Sequence, residues 1–132
     1  MTTNPERSLL DAARDAMRRA YAPYSHFRVG AAVRSSSGAV YVGCNVENAS
    51  YGATLCAERV AMAAMVASGD RAWTDIAIAS DADPPATPCG ICLQVLVEFA
   101  TEGRILLAGP NQCRETSLGA LLPDPFVLRG AE

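Results

Sequence analysis

The sequence alternates helix-like and strand-like segments, and this order restricts the folds that the chain can form. Apolar residues recur at helical spacing from about residue 5 to 20, after Asn4 and Pro5, which suit an N-cap and a first helical turn. Two β-prone runs follow, at 27–33 and 39–46, with a short polar segment between them. The first third of the chain therefore predicts a helix followed by a β-hairpin.

The rest of the chain continues the alternation. The predicted elements are a helix beginning at or just after Cys56 and stopping at Gly69, a strand over 73–80, a loop over 81–88, a helix over 89–103 with Gly103 as its stop, and a strand over 104–108. Pro123 and Pro125 break the remainder, which has room for at most one more strand and a terminal turn. This order predicts an α/β layered fold with a mixed sheet of four or five strands.

Length and composition indicate a small oligomeric protein. A chain of 132 residues is too short for two ordinary domains, so we expect a single domain over residues 1–132. Half of the residues are hydrophobic and only 19% are charged, which suggests that partner chains cover some apolar surface. The net charge is −3 and there is no lysine, so tight binding to nucleic acid or to an anionic membrane is disfavoured.

The N-terminal segment and the cysteines favour a cytoplasmic location. Residues 1–20 carry charges every few positions and lack the apolar stretch of a signal peptide. No apolar run approaches the roughly 20 residues that span a bilayer. Five cysteines, an odd number without an export signal, indicate reduced thiols or metal ligands rather than a disulfide framework. We therefore expect a cytoplasmic protein without a membrane partner.

Three of the cysteines lie at predicted helix starts. Cys56 begins the second helix, and Cys89 and Cys92 begin the third, where free backbone N–H groups and the helix dipole favour thiolates. A Cys-x-x-Cys pair at a helix start is also found in redox dithiols, but Cys56 has no role in such a mechanism. Three thiolates suit zinc better, because zinc is redox-inert and a three-ligand site leaves a fourth position for water.

Glu58 follows Cys56 by two positions, so the two side chains do not share a helix face. A carboxylate that lies near a metal without binding it is suited to general acid/base catalysis. The alternative is a structural zinc site closed by Cys44, Cys113 or His26, in which Glu58 only stabilises its helix N-terminus.

Five segments carry a family resemblance. The segments "CAE" at 56–58 and "PCGIC" at 88–92 resemble the zinc-dependent cytidine deaminases of the three-cysteine, small-subunit type. The resemblance continues through "YAPYSHFRVGAAV", "GCNVENASYG" and "LLPDPF", in the family's order, and covers about residues 20 to 126. It implies a three-layer α/β/α fold with about five strands, Zn²⁺ as cofactor, a pyrimidine nucleoside as substrate, and a homotetramer with shared active sites.

The resemblance also implies a role for individual residues. Cys56, Cys89 and Cys92 would hold zinc, and Glu58 would carry protons from a zinc-activated water to the pyrimidine and its leaving amine. The implied substrate-binding residues are Phe27, Asn45, Glu47 and Ala57, with Tyr51 and Phe126 completing a neighbouring subunit's pocket. The implied reaction is the deamination of cytidine and 2′-deoxycytidine in pyrimidine salvage.

Leu93 is the departure from the family, which usually has arginine directly after the second cysteine of the pair. Three thiolates outweigh the two charges of zinc, so Arg59, which matches the family's other arginine, is left to offset the excess. Two further functions stay open. One is a deaminase of a related aminopyrimidine nucleoside, such as a nucleoside antibiotic, and the other is a zinc-binding scaffold without catalytic activity.

Overall fold

A five-stranded mixed sheet forms the centre of the fold in residues 3–128, which are the residues that the computed structural model describes. The elements are, in chain order, α1 (Asn4–Met17), β1 (Val29–Ser35), β2 (Val40–Cys44), a 3-10 turn (Tyr51–Ala53), α2 (Ala57–Ala67), β3 (Trp73–Ser80), α3 (Gly90–Glu98), β4 (Ala100–Ala108), β5 (Cys113–Ser117) and α4 (Leu118–Leu121). The strand order is β2-β1-β3-β4-β5, with β3 and β4 parallel and the other pairs antiparallel. The predicted α/β fold with a mixed sheet is confirmed. None of these described helices is both long and apolar enough to cross a bilayer.

Helices cover both faces of the sheet, as the three-layer prediction requires. On one face, α1 buries Leu9, Leu10 and Ala13 against small side chains of β1, β3 and β4. On the other face, α2, α3 and α4 enclose the larger apolar cluster, which includes Met62 and Trp73. Burial of these side chains is the main driving force for the layered arrangement.

Two glycines of the β1–β2 hairpin let helices approach the sheet backbone from opposite faces. A Cβ at Gly43 would lie 2.5 Å from the backbone nitrogen of Ala61 and 2.6 Å from the carbonyl oxygen of Ala57, both in α2. A Cβ at Gly30 would lie 2.1 Å from the carbonyl oxygen of Ala13 in α1. Neither contact is possible for a larger residue, so Gly43 determines how closely the first turn of α2 approaches β2.

The first helix differs from its prediction at both ends. Its N-cap is Thr3 rather than Asn4, because the Thr3 hydroxyl accepts a hydrogen bond of 3.3 Å from the backbone nitrogen of Glu6. The helix ends at Met17 rather than near residue 20. Beyond that point the backbone of Tyr21 donates to the carbonyl oxygen of Asn45, and this pairing draws the chain away from the helical path.

The third helix is also shorter than predicted. It ends at Glu98, and the next residues join β4 instead of continuing to a stop at Gly103. The cause is strand pairing, since Trp73 at the start of β3 donates to the carbonyl oxygen of Phe99 and is paired with Ala100. Gly103 lies within β4 and has a φ of 77°. By contrast, Gly69 follows α2 with a φ of 108°, as predicted for a helix stop.

Candidate active site

The three helix-start cysteines meet between α2 and α3. Cys56 is the N-cap of α2, Cys89 is the N-cap of α3, and Cys92 lies in the first turn of α3. Their Sγ atoms all lie within 4.8 Å of one another. Within residues 3–128, they form the one group of three or more ligand side chains close enough to share an ion, and Cys44, Cys113 and His26 are not part of it.

The electrostatics of this cluster favour negatively charged sulfur. A hydrogen bond from Cys92, with Arg59 adding to it, lowers the pKa of Cys56 to about 5. The same hydrogen bond and burial raise the pKa of Cys92. Cys56 therefore takes the first negative charge of the cluster, and a bound cation would favour release of the Cys92 thiol proton.

Arg59 is the cation that faces the sulfurs. Its Nη2 lies 3.7 Å from Cys56 Sγ and donates to the carbonyl oxygen of Thr54 at 3.1 Å. Its Nε is buried and has no hydrogen-bond partner among residues 3–128. A guanidinium held in this way fits a site that carries excess thiolate charge.

The donor set fits zinc. Tetrahedral zinc with Zn–S bonds of about 2.3 Å places its sulfurs about 3.8 Å apart, so the three sulfurs need to move by no more than about 1 Å. Three protein sulfurs also leave the fourth tetrahedral position free. A redox dithiol would need only two of them, and the third sulfur within the same 4.8 Å is then unexplained.

Glu58 points into a cavity beside the sulfurs. The cavity has a volume of about 200 Å³, and Glu58, Cys56 and Cys89 all lie on its wall. The Glu58 side chain is only 6% exposed. Burial, with the negative charge of Cys56 adding to it, raises the pKa of Glu58 to about 7. A carboxyl group with this pKa can both accept and release a proton near neutral pH.

The cavity brings together several of the residues expected to bind substrate. Phe27, Asn45 and Ala57 line it together with Glu58. The lining residues that sequence reasoning missed are Val29, Thr54, Leu55, Ile78, Ala86 and Thr87. Four of these six directly precede the "CAE" and "PCGIC" segments, and that proximity could have identified them. Ile78 lies in a strand far from either segment, so no local signal indicates it.

Glu47 and Tyr51 border a second hollow of about 420 Å³. Thr54 lines both hollows, so they adjoin. Across the second hollow, the ring of Tyr51 meets that of Tyr24 edge-on, with the ring centres 6.2 Å apart. The predicted residues thus divide between the cavity that contains Cys56 and Cys89 and the hollow next to it.

Asn45 and Glu47 both bind the backbone that carries Phe27. The Asn45 side chain accepts from the backbone nitrogen of Val29 at 2.9 Å and donates to the carbonyl oxygen of Phe27 at 2.7 Å. Glu47 Oε1 accepts from the backbone nitrogens of Tyr24 and Ser25 at 2.9 and 3.1 Å. Each side chain keeps further hydrogen-bonding capacity for a ligand.

Phe126 and Leu93 lie outside this arrangement. Phe126 is 70% exposed, and its carbonyl oxygen accepts a hydrogen bond of 2.9 Å from Gln94 on α3. It lines neither hollow of its own chain. Leu93 is 7% exposed and belongs to the apolar cluster under α2 and α3.

Comparison with known proteins places these features in a family. Residues 3–108 match the sequence family described as the cytidine and deoxycytidylate deaminase zinc-binding region. The chain belongs to this family. Because the family is defined by a zinc-binding region and the three sulfurs suit that metal, the cofactor of this member is zinc.

Individual family members are similar over most of their length. A probable cytidine deaminase of Dictyostelium discoideum is 42% identical over 118 residues, covering 89% of this chain and 80% of that protein. The cytidine deaminase of Sporosarcina psychrophila is 39% identical over 120 residues, covering 89% and 88%. The crystal structure of cytidine deaminase from Burkholderia pseudomallei superposes with a TM-score of 0.87 at 43% identity, covering 95% of this chain and 100% of that one.

Proposed function

We propose that this protein is a cytidine deaminase, which converts cytidine and 2′-deoxycytidine with water to uridine and 2′-deoxyuridine and releases ammonia. The observation that carries the proposal is the buried Glu58 carboxyl group on the wall of a cavity that it shares with Cys56 and Cys89. Relatives named cytidine deaminase, at 39 and 43% identity over most of their chains, support the choice of substrate.

In this proposal, Cys56, Cys89 and Cys92 hold zinc, and Arg59 offsets their excess charge. When bound, zinc supplies a Lewis acid that makes a water molecule nucleophilic near neutral pH. Glu58 accepts a proton from the attacking water and delivers it to N3 of the pyrimidine. It then accepts the proton of the hydroxyl group newly bound to C4 and transfers it to the amino group, which leaves as ammonia while the C4 carbonyl forms. Its burial supports this role, because a carboxyl group with a pKa of about 7 exchanges protons readily in both directions.

The other cavity residues orient the nucleoside. The Phe27 ring would lie against it, and the remaining hydrogen-bonding capacity of Asn45 and Glu47 would bind the sugar hydroxyl group. Ala57 is the first residue of α2, where backbone N–H groups have no partner within the helix, so it can donate to the pyrimidine carbonyl oxygen.

The proposal includes a homotetramer with shared active sites. It is supported by Tyr51 and Phe126, which are 76 and 70% exposed although both are large and aromatic. Phe126 would complete the pocket of a neighbouring subunit, since it borders neither hollow of its own chain.

The proposal also places the enzyme in pyrimidine salvage and in the cytoplasm. All five cysteines lie within residues 3–128, and all are free thiols there. A reducing compartment would keep the three sulfurs of the cluster available for zinc.

An ultraviolet absorbance assay with cytidine, with zinc measured on the same sample, tests the proposal. We expect cytidine to be consumed, ammonia to be released, and about one zinc ion to be present per chain. Zinc without turnover would indicate a scaffold, and turnover restricted to another aminopyrimidine nucleoside would indicate the related deaminase. An active, metal-free protein with a disulfide between Cys89 and Cys92 would refute the zinc chemistry altogether.

A further inference from the structure

The segment that carries Phe27 into the cavity is held by side chains outside it. Residues 22–28 connect α1 to β1 without forming a helix or an extended strand of their own. Phe27 nevertheless lies on the cavity wall, and Ser25 borders the adjoining hollow. The position of the Phe27 ring therefore depends on specific hydrogen bonds rather than on regular secondary structure.

The Ser25 hydroxyl joins two of these hydrogen bonds. It donates to Glu47 Oε2, and it accepts from the backbone nitrogen of Phe27 at 3.0 Å. The other carboxylate oxygen of Glu47 accepts from the backbone nitrogens of Tyr24 and Ser25. Ser25 is thus a side-chain link between the Glu47 carboxylate and the backbone of Phe27.

The electrostatics agree with this link. The pKa of Glu47 lies below its ordinary value, mainly because the Ser25 hydroxyl donates a hydrogen bond to the carboxylate. The hydrogen bonds from the backbone N–H groups of Ser25 and Tyr24 lower this pKa further. Glu47 is consequently ionised at neutral pH, and hydrogen bonds to an ionised acceptor are stronger than neutral ones.

The backbone between Ser25 and Phe27 requires such support. His26 has a φ of 60°, a left-handed conformation that is unfavourable for a residue with a Cβ. The His26 nitrogen donates to the carbonyl oxygen of Ala22 at 3.0 Å, and Asn45 holds the carbonyl oxygen of Phe27. The Ser25 hydroxyl completes this set by holding the nitrogen of Phe27.

We propose that Ser25 is a positioning residue for substrate binding, whose hydroxyl connects Glu47 to Phe27 and so places the Phe27 ring in the cavity. This inference rests on the proposed function, in which Phe27 lies against the nucleoside. Because Phe27 contacts the nucleoside before and during the reaction alike, Ser25 affects binding of the ground state and of the transition state equally.

Replacing Ser25 by alanine tests this role. A net hydrogen-bond contribution of about 1 kcal/mol or slightly more corresponds to a change of about fivefold to tenfold in binding. We expect Ser25→Ala to raise KM for cytidine by that factor while kcat stays within about twofold of wild type. Titration calorimetry with uridine should show the same factor in Kd, which provides a readout independent of turnover.

Two variants serve as controls. Ser25→Thr keeps the hydroxyl group at an exposed position and should keep KM near the wild-type value. Ser68→Ala removes another exposed hydroxyl, which lies 2.7 Å from both the Tyr41 hydroxyl and the Met65 carbonyl oxygen. Ser68 is at the C-terminal end of α2, opposite the end that carries Cys56. It should leave KM and Kd unchanged.

The inference is overturned if Ser25→Ala leaves KM unchanged, if it lowers kcat instead, or if Ser25→Thr behaves like the alanine variant. Its failure is distinct from that of the proposed function. A wild-type enzyme that turns over cytidine supports the proposed function whatever the Ser25 variants do, whereas a wild-type protein that does not refutes the proposed function directly.

Discussion

Glu58 shows how its surroundings change the chemistry of a single carboxyl group. An exposed glutamate titrates near pH 4.3 and is a weak base at neutral pH. Burial in the cavity wall and the adjacent Cys56 sulfur instead raise the pKa of Glu58 to about 7. The pKa of Glu58 is therefore close to the value at which general acid/base catalysis is most efficient at neutral pH.

We expect Glu58→Gln to retain zinc and the fold but to lose turnover of cytidine by a factor of about 10³ or more. The amide keeps the shape of the side chain but can neither accept nor deliver the proton. Steady-state kinetics and zinc analysis of the same preparation measure the two effects separately.

The matched control is Glu98→Gln, which makes the same change at an exposed position at the end of α3. It should leave kcat and KM unchanged. Near-normal turnover of Glu58→Gln, or loss of its zinc, would contradict the acid/base role.

Arg59 and Leu93 have different roles beside the thiolates. The Arg59 guanidinium contacts the Cys56 sulfur at 3.7 Å, whereas Leu93 directs its side chain into the apolar cluster. The residue next to Cys92 in sequence therefore contributes to packing, and Arg59 supplies the positive charge.

At the scale of elements, the site depends on how two helices are placed against the sheet. Cys56 and Glu58 belong to the start of α2, while Cys89 and Cys92 belong to the start of α3. The sulfurs can share an ion only if the starts of α2 and α3 keep their positions relative to each other. For α2, the contact of Gly43 with the α2 backbone sets the distance between the start of this helix and β2.

We expect Gly43→Ala to weaken zinc binding and to lower kcat/KM at least tenfold. The added methyl group overlaps the α2 backbone at 2.5 and 2.6 Å, so the helix start must move relative to α3. Small displacements of catalytic groups cost large factors in rate. Zinc loss to a chelator, followed over time, measures the effect without relying on activity.

Gly30→Ala is the matched control, because it creates the same kind of overlap with α1 on the opposite face. Both variants should lower Tm, since overpacking costs about 1–3 kcal/mol. Only Gly43→Ala should lose zinc faster. Equal zinc retention in the two variants would show that Gly43 serves stability alone.

At the scale of the whole molecule, large apolar side chains remain on the surface of the chain. Tyr51 and Phe126 are the two most exposed aromatic residues that the structure describes, and Val127 beside Phe126 is 71% exposed. A free chain with this surface would be prone to association. The proposed tetramer would cover these residues, and Tyr51 and Phe126 would complete the substrate pockets of neighbouring subunits.

We expect Phe126→Ala to raise KM for cytidine several-fold without changing the zinc content. The reason is that Phe126 would complete a neighbour's pocket, while it contributes no ligand to the sulfur cluster of its own chain. Light scattering should give the mass of a tetramer for the wild type.

The control variant is Val40→Ala, which removes an exposed apolar side chain of β2 that borders neither hollow. It should leave KM unchanged. A fully active monomer would contradict the shared-site arrangement.

Local signals in the sequence predict the order of the elements and the positions of three cysteines at helix starts. These features depend on apolar periodicity, on capping and on glycine stops, all of which act between residues a few positions apart. Cys56 and Gly69 illustrate this, since they bound α2 as predicted. The matched segments also indicated the family and predicted Cys56, Cys89 and Cys92 as its zinc ligands.

Other features depend on residues distant in sequence and are visible only in the folded chain. The chain leaves α3 and enters β4 at Ala100 because Trp73 of β3 pairs with that residue, a partner that local propensity could not anticipate. The approach of α2 to Gly43, the burial that raises the pKa of Glu58, and the link from Glu47 through Ser25 to Phe27 likewise join separate segments. Each depends on the tertiary structure, because packing, desolvation and these hydrogen bonds depend on neighbours in space and not along the chain.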